Sequence, residues 1–260
     1  MQRPLTSSSA VNAEQPVKPS RKSWIHLIVF VSGFAGLGYE MVWTKMLAVS
    51  LGHEIIAVLA VLAAFFAGLS LGAFGLNDRI RRSSRPARWY AALEVVIAVW
   101  AVSLTWLIPW FNATVPAWIG ETPSALWHWS VAFGSTLVLL LPVTAAMGAT
   151  LPALERVYGN LFGPGRHVGA VYAANTFGAV FGTIASTFLL APALGFSLTL
   201  WIFAVFNLIC AAAIFRLATT EPQKVAERNQ TASLKNTNTG VRRRVLITLF
   251  FTGLLGLGYE

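Results

Sequence analysis

The sequence predicts an all-α, polytopic transmembrane helix bundle of six helices plus the start of a seventh, and three observations predict it. Only 11% of the 260 residues are charged while 56% are hydrophobic, and the mean hydropathy is +0.64, more apolar than a soluble core requires. Apolar runs long enough to cross a hydrocarbon layer of about 30 Å, which takes about 20 helical residues, recur along the chain. A nonapeptide, Ser32 to Glu40 (SGFAGLGYE), returns almost unchanged as Thr252 to Glu260 (TGLLGLGYE). One six-helix unit is therefore followed by the opening of a second.

Residues 1–22 are polar, rich in Ser and Pro and without an apolar period, which predicts a disordered cytoplasmic tail. The run from Trp24 is too long for a signal peptide and predicts a spanning helix. Spanning runs follow at 24–51, 54–76, 89–111, 127–150, 168–192 and 196–217, together forming the membrane unit 23–217. A polar cytoplasmic linker at 218–242 leads to the seventh run at 243–260. Only Leu51-Gly52-His53-Glu54 separates the first two runs, and only a turn at Leu194-Gly195 the fifth and sixth, so both pairs must be tight antiparallel hairpins. Pro142 and Pro152 bracket Met147-Gly148-Ala149-Thr150 and predict a bend in the fourth helix. Gly68 with Gly72, and Gly178 with Gly182, form small-residue faces on which helix backbones can approach closely.

The formal charge of +9 does not mark a nucleic-acid binder, because the basic residues sit in short clusters between apolar runs rather than on one continuous face. It follows topology instead. All but one of the 19 Lys and Arg fall in the tail, in the loop carrying Arg79 to Arg88, near Arg156 and Arg166, or from Arg216 onward. Basic residues are retained on the cytoplasmic side, so the N-terminus is cytoplasmic. Lys45, the exception, is expected to snorkel to the outer interface. Trp24, Trp89 and Tyr90 fall at the inner interface and Trp106, Trp110, Trp118, Trp127 and Trp129 at the outer one, as aromatic belts do. Because six helices separate the two nonapeptides, the repeats are parallel, an architecture shared with the halves of major facilitator transporters.

Chemistry is sparse. The lone Cys210 rules out an internal disulfide, and no P-loop, dinucleotide fingerprint, HExxH or nucleophile elbow occurs. No catalytic residue, metal or cofactor is expected in this chain. Glu40 lies sixteen residues past Trp24, about 24 Å along a helix, and a carboxylate at that depth must face other helices, be protonated or have a partner. Two readings are open: a proton or cation site made of Glu40, Tyr39 and Trp43, with Glu260 as the repeat counterpart of Glu40, or a structural hydrogen bond to a neighbouring helix. His53 and Glu54 could join such a site from the turn above. Glu94 is expected near the cytoplasmic interface, paired with a loop arginine. Asn175, followed by Thr176, is expected to make a polar contact between helices.

The blocks SGFAGLGYEMVWTKML, VLAAFFAGLSLG, MGATLPAL and VGAVYAANTFGAVFGTIASTFLLAPALG stand in order between residues 32 and 195. Together they resemble the membrane region of the bacterial fused major-facilitator/spermidine synthase-like proteins. That resemblance implies a multi-pass inner-membrane module followed by a soluble, Rossmann-like aminopropyltransferase domain that would use decarboxylated S-adenosylmethionine. No such domain lies in these residues. The expected partners are the lipid bilayer, the downstream domain of the same polypeptide and a polyamine. The expected function is to anchor, and to feed or drain, that polyamine-synthesising domain. The alternative is a major-facilitator-like transporter or exporter of an organic cation such as a polyamine, and a third reading is a membrane scaffold without a substrate.

Overall fold

The computed structural model describes residues 19–51, 54–162 and 168–219. They form α1 (Pro19–Leu51), α2 (Glu54–Arg82), α3 (Pro86–Ile119), α4 (Ala125–Phe162), α5 (Val168–Ala185), a π-helical turn (Ser186–Leu190) and α6 (Ala191–Thr219). Five segments are long and apolar enough to cross a membrane: Ser23–Leu51, Ile55–Arg82, Pro86–Ile119, Ala125–Phe162 and Gly169–Leu217. The chain is thus a multi-pass membrane protein by length and composition. Residues 1–18, His53 and residues 220–260, which carry most of the linker and the second nonapeptide with Glu260, lie outside the described residues.

The helices outrun the predicted apolar runs. α3 continues through Pro109 and Pro116, and α4 through Pro142 and Pro152 as a single helix. α1 begins at Pro19, ahead of the first apolar residue.

The last apolar segment is 49 residues long, about 74 Å if it were straight at 1.5 Å per residue. It is not straight. Gly195 interrupts α6 with φ 76° and ψ 168°, a conformation essentially reserved for glycine, at the site where Leu194-Gly195 predicts a turn. Just upstream, the Ala191 amide bonds the Ser186 carbonyl five residues back. Pro192 follows at once, and since proline has no N–H and its ring crowds the preceding turn, a wide turn there lets the helix adjust.

Side-chain and backbone contacts give the helix directions. Phe30 and Phe34 present their carbonyls to Gly178 and Gly182, so α1 and α5 run parallel. In contrast, Cys210 meets the Ile28 carbonyl while Phe203 meets Phe34 and Tyr39, so the part of α6 beyond Gly195 runs against α1. α2 and α4 are parallel, with Gly72 on the Ala145 carbonyl, Gly148 on the Leu69 carbonyl and Gly68 on the Thr144 side chain. At each of these glycines a Cβ would collide with the facing helix. The predicted glycine faces are therefore where the helices touch, and their partners (Phe30, Phe34, Thr144 and Ala145) became visible only in the structure.

One end of the bundle gathers the end of α1 and the start of α4, where the His128 ring nitrogen lies 3.2 Å from the Leu51 carbonyl. At the other end, Arg156 of α4 donates to the Arg81 carbonyl of α2 at 2.9 Å. Large apolar side chains stay exposed around the outside, among them Trp106, Trp110, Leu126, Val138, Phe177 and Phe188. That surface suits lipid.

Candidate functional site

The apolar stripe of α3 carries Tyr90, Leu93, Glu94, Ile97, Ala101, Leu104 and Ile108 into the core, the spacing of one helix face. Glu94 stands on that stripe, so its neighbours take the carboxyl inward with them. α1 brings Ser32 and Tyr39, two turns apart on one face. α6 brings Asn207, flanked on its own face by buried Phe203 and Cys210.

These side chains meet. Ser32 Oγ donates to Glu94 Oε1 at 2.7 Å, and Asn207 Nδ2 donates to Glu94 Oε2 at 2.5 Å. The Tyr39 hydroxyl donates to Asn207 Oδ1 at 2.9 Å. Glu94 is 0% exposed and Asn207 2%. The Tyr90 hydroxyl, one turn before Glu94, faces the same carboxyl but is buried without closing a hydrogen bond of ordinary geometry. Tyr39 stacks on Trp43 with ring centroids 5.1 Å apart and packs edge-on against Phe203. Gly38 leaves the room that the Phe203 ring and the Ser186 hydroxyl occupy. A carboxyl, two phenols, an amide and a hydroxyl thus join α1, α3 and α6 in the buried interior, where each hydrogen bond is strengthened and each unpaired group is costly.

This corrects the expectation for Glu94. Among the described residues it reaches no loop arginine, because the stripe on which it lies faces inward. Its hydrogen-bond partners come from residues 62 and 113 positions away. Helix periodicity around Tyr90, Leu93 and Ile97 was the signal that could have revealed this.

Of the predicted site residues, Tyr39 and Trp43 lie together in this core. Glu40 is partly exposed, about 100° further round α1 than Tyr39 at 3.6 residues per turn, and its backbone carbonyl accepts the Thr44 hydroxyl at 2.8 Å. Asn175 is half-buried, its carbonyl and side-chain oxygen against Gly33 at the α1–α5 contact. Thr176 is exposed and donates to the Tyr172 carbonyl at 3.0 Å, satisfied within its own helix because the i−4 carbonyl is in reach. Lys45 is exposed and lines a cavity with Met41, Val42, Thr187, Pro192 and Phe196. Cys210 is buried, its Sγ 3.5 Å from the Ile28 carbonyl. Among the described residues, no three His, Cys, Asp or Glu side chains gather as a metal site would require.

No family model matches the chain, and no solved structure matches it. The chain is similar to polyamine aminopropyltransferase 2 of Streptomyces coelicolor, 28% identical over 189 residues, a match covering 70% of this chain and 32% of that protein. The chain spans about a third of the length of this curated relative. A match of that extent must take in α3 and α4, so the shared sequence includes apolar helix.

Proposed function

We propose that these residues are the inner-membrane module of a spermidine synthase-like protein, anchoring and serving a polyamine aminopropyltransferase domain that follows in the same polypeptide. The observation that carries this reading is the similarity to polyamine aminopropyltransferase 2 through apolar helices. The helices cross six times with the N-terminus cytoplasmic, a count favoured by the reversal at Gly195 and an orientation favoured by the clustered Arg and Lys. The second nonapeptide then opens a parallel repeat, as in major-facilitator-like proteins.

The test is to supply washed membranes containing the natural polypeptide with decarboxylated S-adenosylmethionine and putrescine. Spermidine formation in the membrane fraction, lost when the gene is deleted, supports the reading. Membranes that form no spermidine with the polypeptide present overturn it.

A second reading, export of an organic cation such as a polyamine, is favoured by the partly exposed carboxyl of Glu40 inside a spanning helix. Glu40→Gln then abolishes polyamine flux into inverted vesicles. Unchanged flux removes Glu40 from any such mechanism.

A further inference from the structure

A cavity of about 230 Å³ lies between α1 and the π-helical turn. Lys45 lines it from α1, three and four residues past Val42 and Met41, so the three share one helix face. Thr187 of the turn, with Pro192 and Phe196 of α6, lines the other side. Lys45, Pro192 and Phe196 are exposed, which turns the cavity toward the outside of the bundle. Its lining is apolar apart from one cation and two hydroxyls. The Ser186 hydroxyl is bound within its own helix, donating to the Gly182 carbonyl at 2.6 Å, whereas the Thr187 hydroxyl is buried without a partner.

Depth decides what can reach this cavity. The span Ser23–Leu51 is 29 residues, about 43 Å of helix against a hydrocarbon layer of about 30 Å, so each end overruns the layer by about 6 Å when the helix is centred. Lys45, about 9 Å before Leu51, then starts about 3 Å below the headgroups, and its stem carries the ammonium up among them.

We infer that the cavity is a binding site for an anionic phospholipid: the phosphodiester pairs with the Lys45 ammonium, and the adjoining acyl chain lies against Met41, Val42, Pro192 and Phe196. Charge selects the occupant. A cation at the rim attracts a phosphate and repels a polyamine, and a zwitterionic lipid would set its own ammonium beside that of Lys45. The volume is below the roughly 300–1,000 Å³ of pockets that enclose a drug-sized ligand, so the cavity takes one stretch of a chain whose remainder stays in the bilayer. Phospholipid ester oxygens accept hydrogen bonds and do not donate, which is what the unpartnered Thr187 hydroxyl requires. The inference is independent of the aminopropyltransferase reading, and it sets this cavity apart from any route for an organic cation.

Photolabelling of the full chain in phosphatidylcholine bilayers tests it. The probe is a trace lipid with a diazirine on the acyl chain close to the headgroup, made as phosphatidylglycerol or as phosphatidylcholine, and the labelled residues are mapped by mass spectrometry. The phosphatidylglycerol probe is expected to label 41–45 and 187–196 about fivefold more than the phosphatidylcholine probe, the preference that one basic residue confers at an anionic membrane surface. Lys45→Gln brings the two probes to parity, and Lys45→Arg keeps them apart. Equal labelling of the unmodified chain, which needs no variant to fold, overturns the inference, as does a preference retained in Lys45→Gln. Loss of the preference on adding inorganic phosphate makes this a site for a free anion and overturns the lipid assignment.

Discussion

Asn207 of α6 donates its amide to the carboxyl of Glu94 on α3 at 2.5 Å, and the same amide accepts the hydroxyl of Tyr39 from α1. One side chain thereby closes a junction of three helices, and its two ends have unequal worth. Asn207→Ala leaves both a buried carboxyl oxygen and a buried phenol short of a partner, a loss of about 2–4 kcal/mol if each costs about 1–2. Tyr39→Phe removes one neutral hydrogen bond, about 1 kcal/mol, while the stack on Trp43 survives. Thermal unfolding in detergent, followed by circular dichroism, checks the order: Asn207→Ala must melt well below Tyr39→Phe.

The first nonapeptide separates its glycines by role. A Cβ on Gly33 would meet Asn175 and one on Gly38 the Phe203 ring, whereas nothing lies within 4 Å of the Cβ position of Gly36. Gly36→Ala is expected to be neutral or to stabilise by about 0.5–1 kcal/mol through helix propensity. Gly33→Ala and Gly182→Ala push helices apart and cost about 1–3 kcal/mol, the usual toll of overpacking. Melting temperatures of the three variants side by side settle the order.

Gly195→Ala isolates a backbone effect. No atom lies within 4 Å of the Cβ position, yet φ is +76°, so the whole cost of about 1–3 kcal/mol comes from the dihedral angles. Gly134→Ala, equally open but inside α4, is the control and is expected to lose nothing. A chemical-denaturation midpoint lowered only in Gly195→Ala is the predicted outcome.

Orientation is testable by labelling. In a Cys210→Ser background, Ser124→Cys, at the start of α4, reacts with a membrane-impermeant maleimide in intact cells. Ser84→Cys, between α2 and α3, reacts only after the membrane is opened. The reverse pattern would place the N-terminus outside.

Much of the fold was legible because lipid imposes a simple rule: apolar runs of spanning length become helices. The turn at Gly195 and the glycine faces were legible for equally local reasons. The core junction was not. Glu94 was judged by its distance from the loop arginines, although the face it occupies decides where the carboxyl goes, and Ser32 and Asn207 carry no mark in one sequence that they meet it. Repetition drew notice to Glu40, whereas its neighbour Tyr39 is the residue turned inward. The π-turn before Pro192 is a local compromise among hydrogen bonds that residue patterns do not reveal.

The sequence distances within the junction also set an order of events at the ribosome. Ser32 and Glu94 are 62 residues apart, but Asn207 emerges 113 residues after Glu94, roughly 6–23 s later at about 5–20 residues per second. Until then one oxygen of the Glu94 carboxyl and the Tyr39 hydroxyl lack the partner that Asn207 supplies. A chain stalled before α6 lacks the Asn207 amide, so the three-helix junction closes only when the last of these helices has been made.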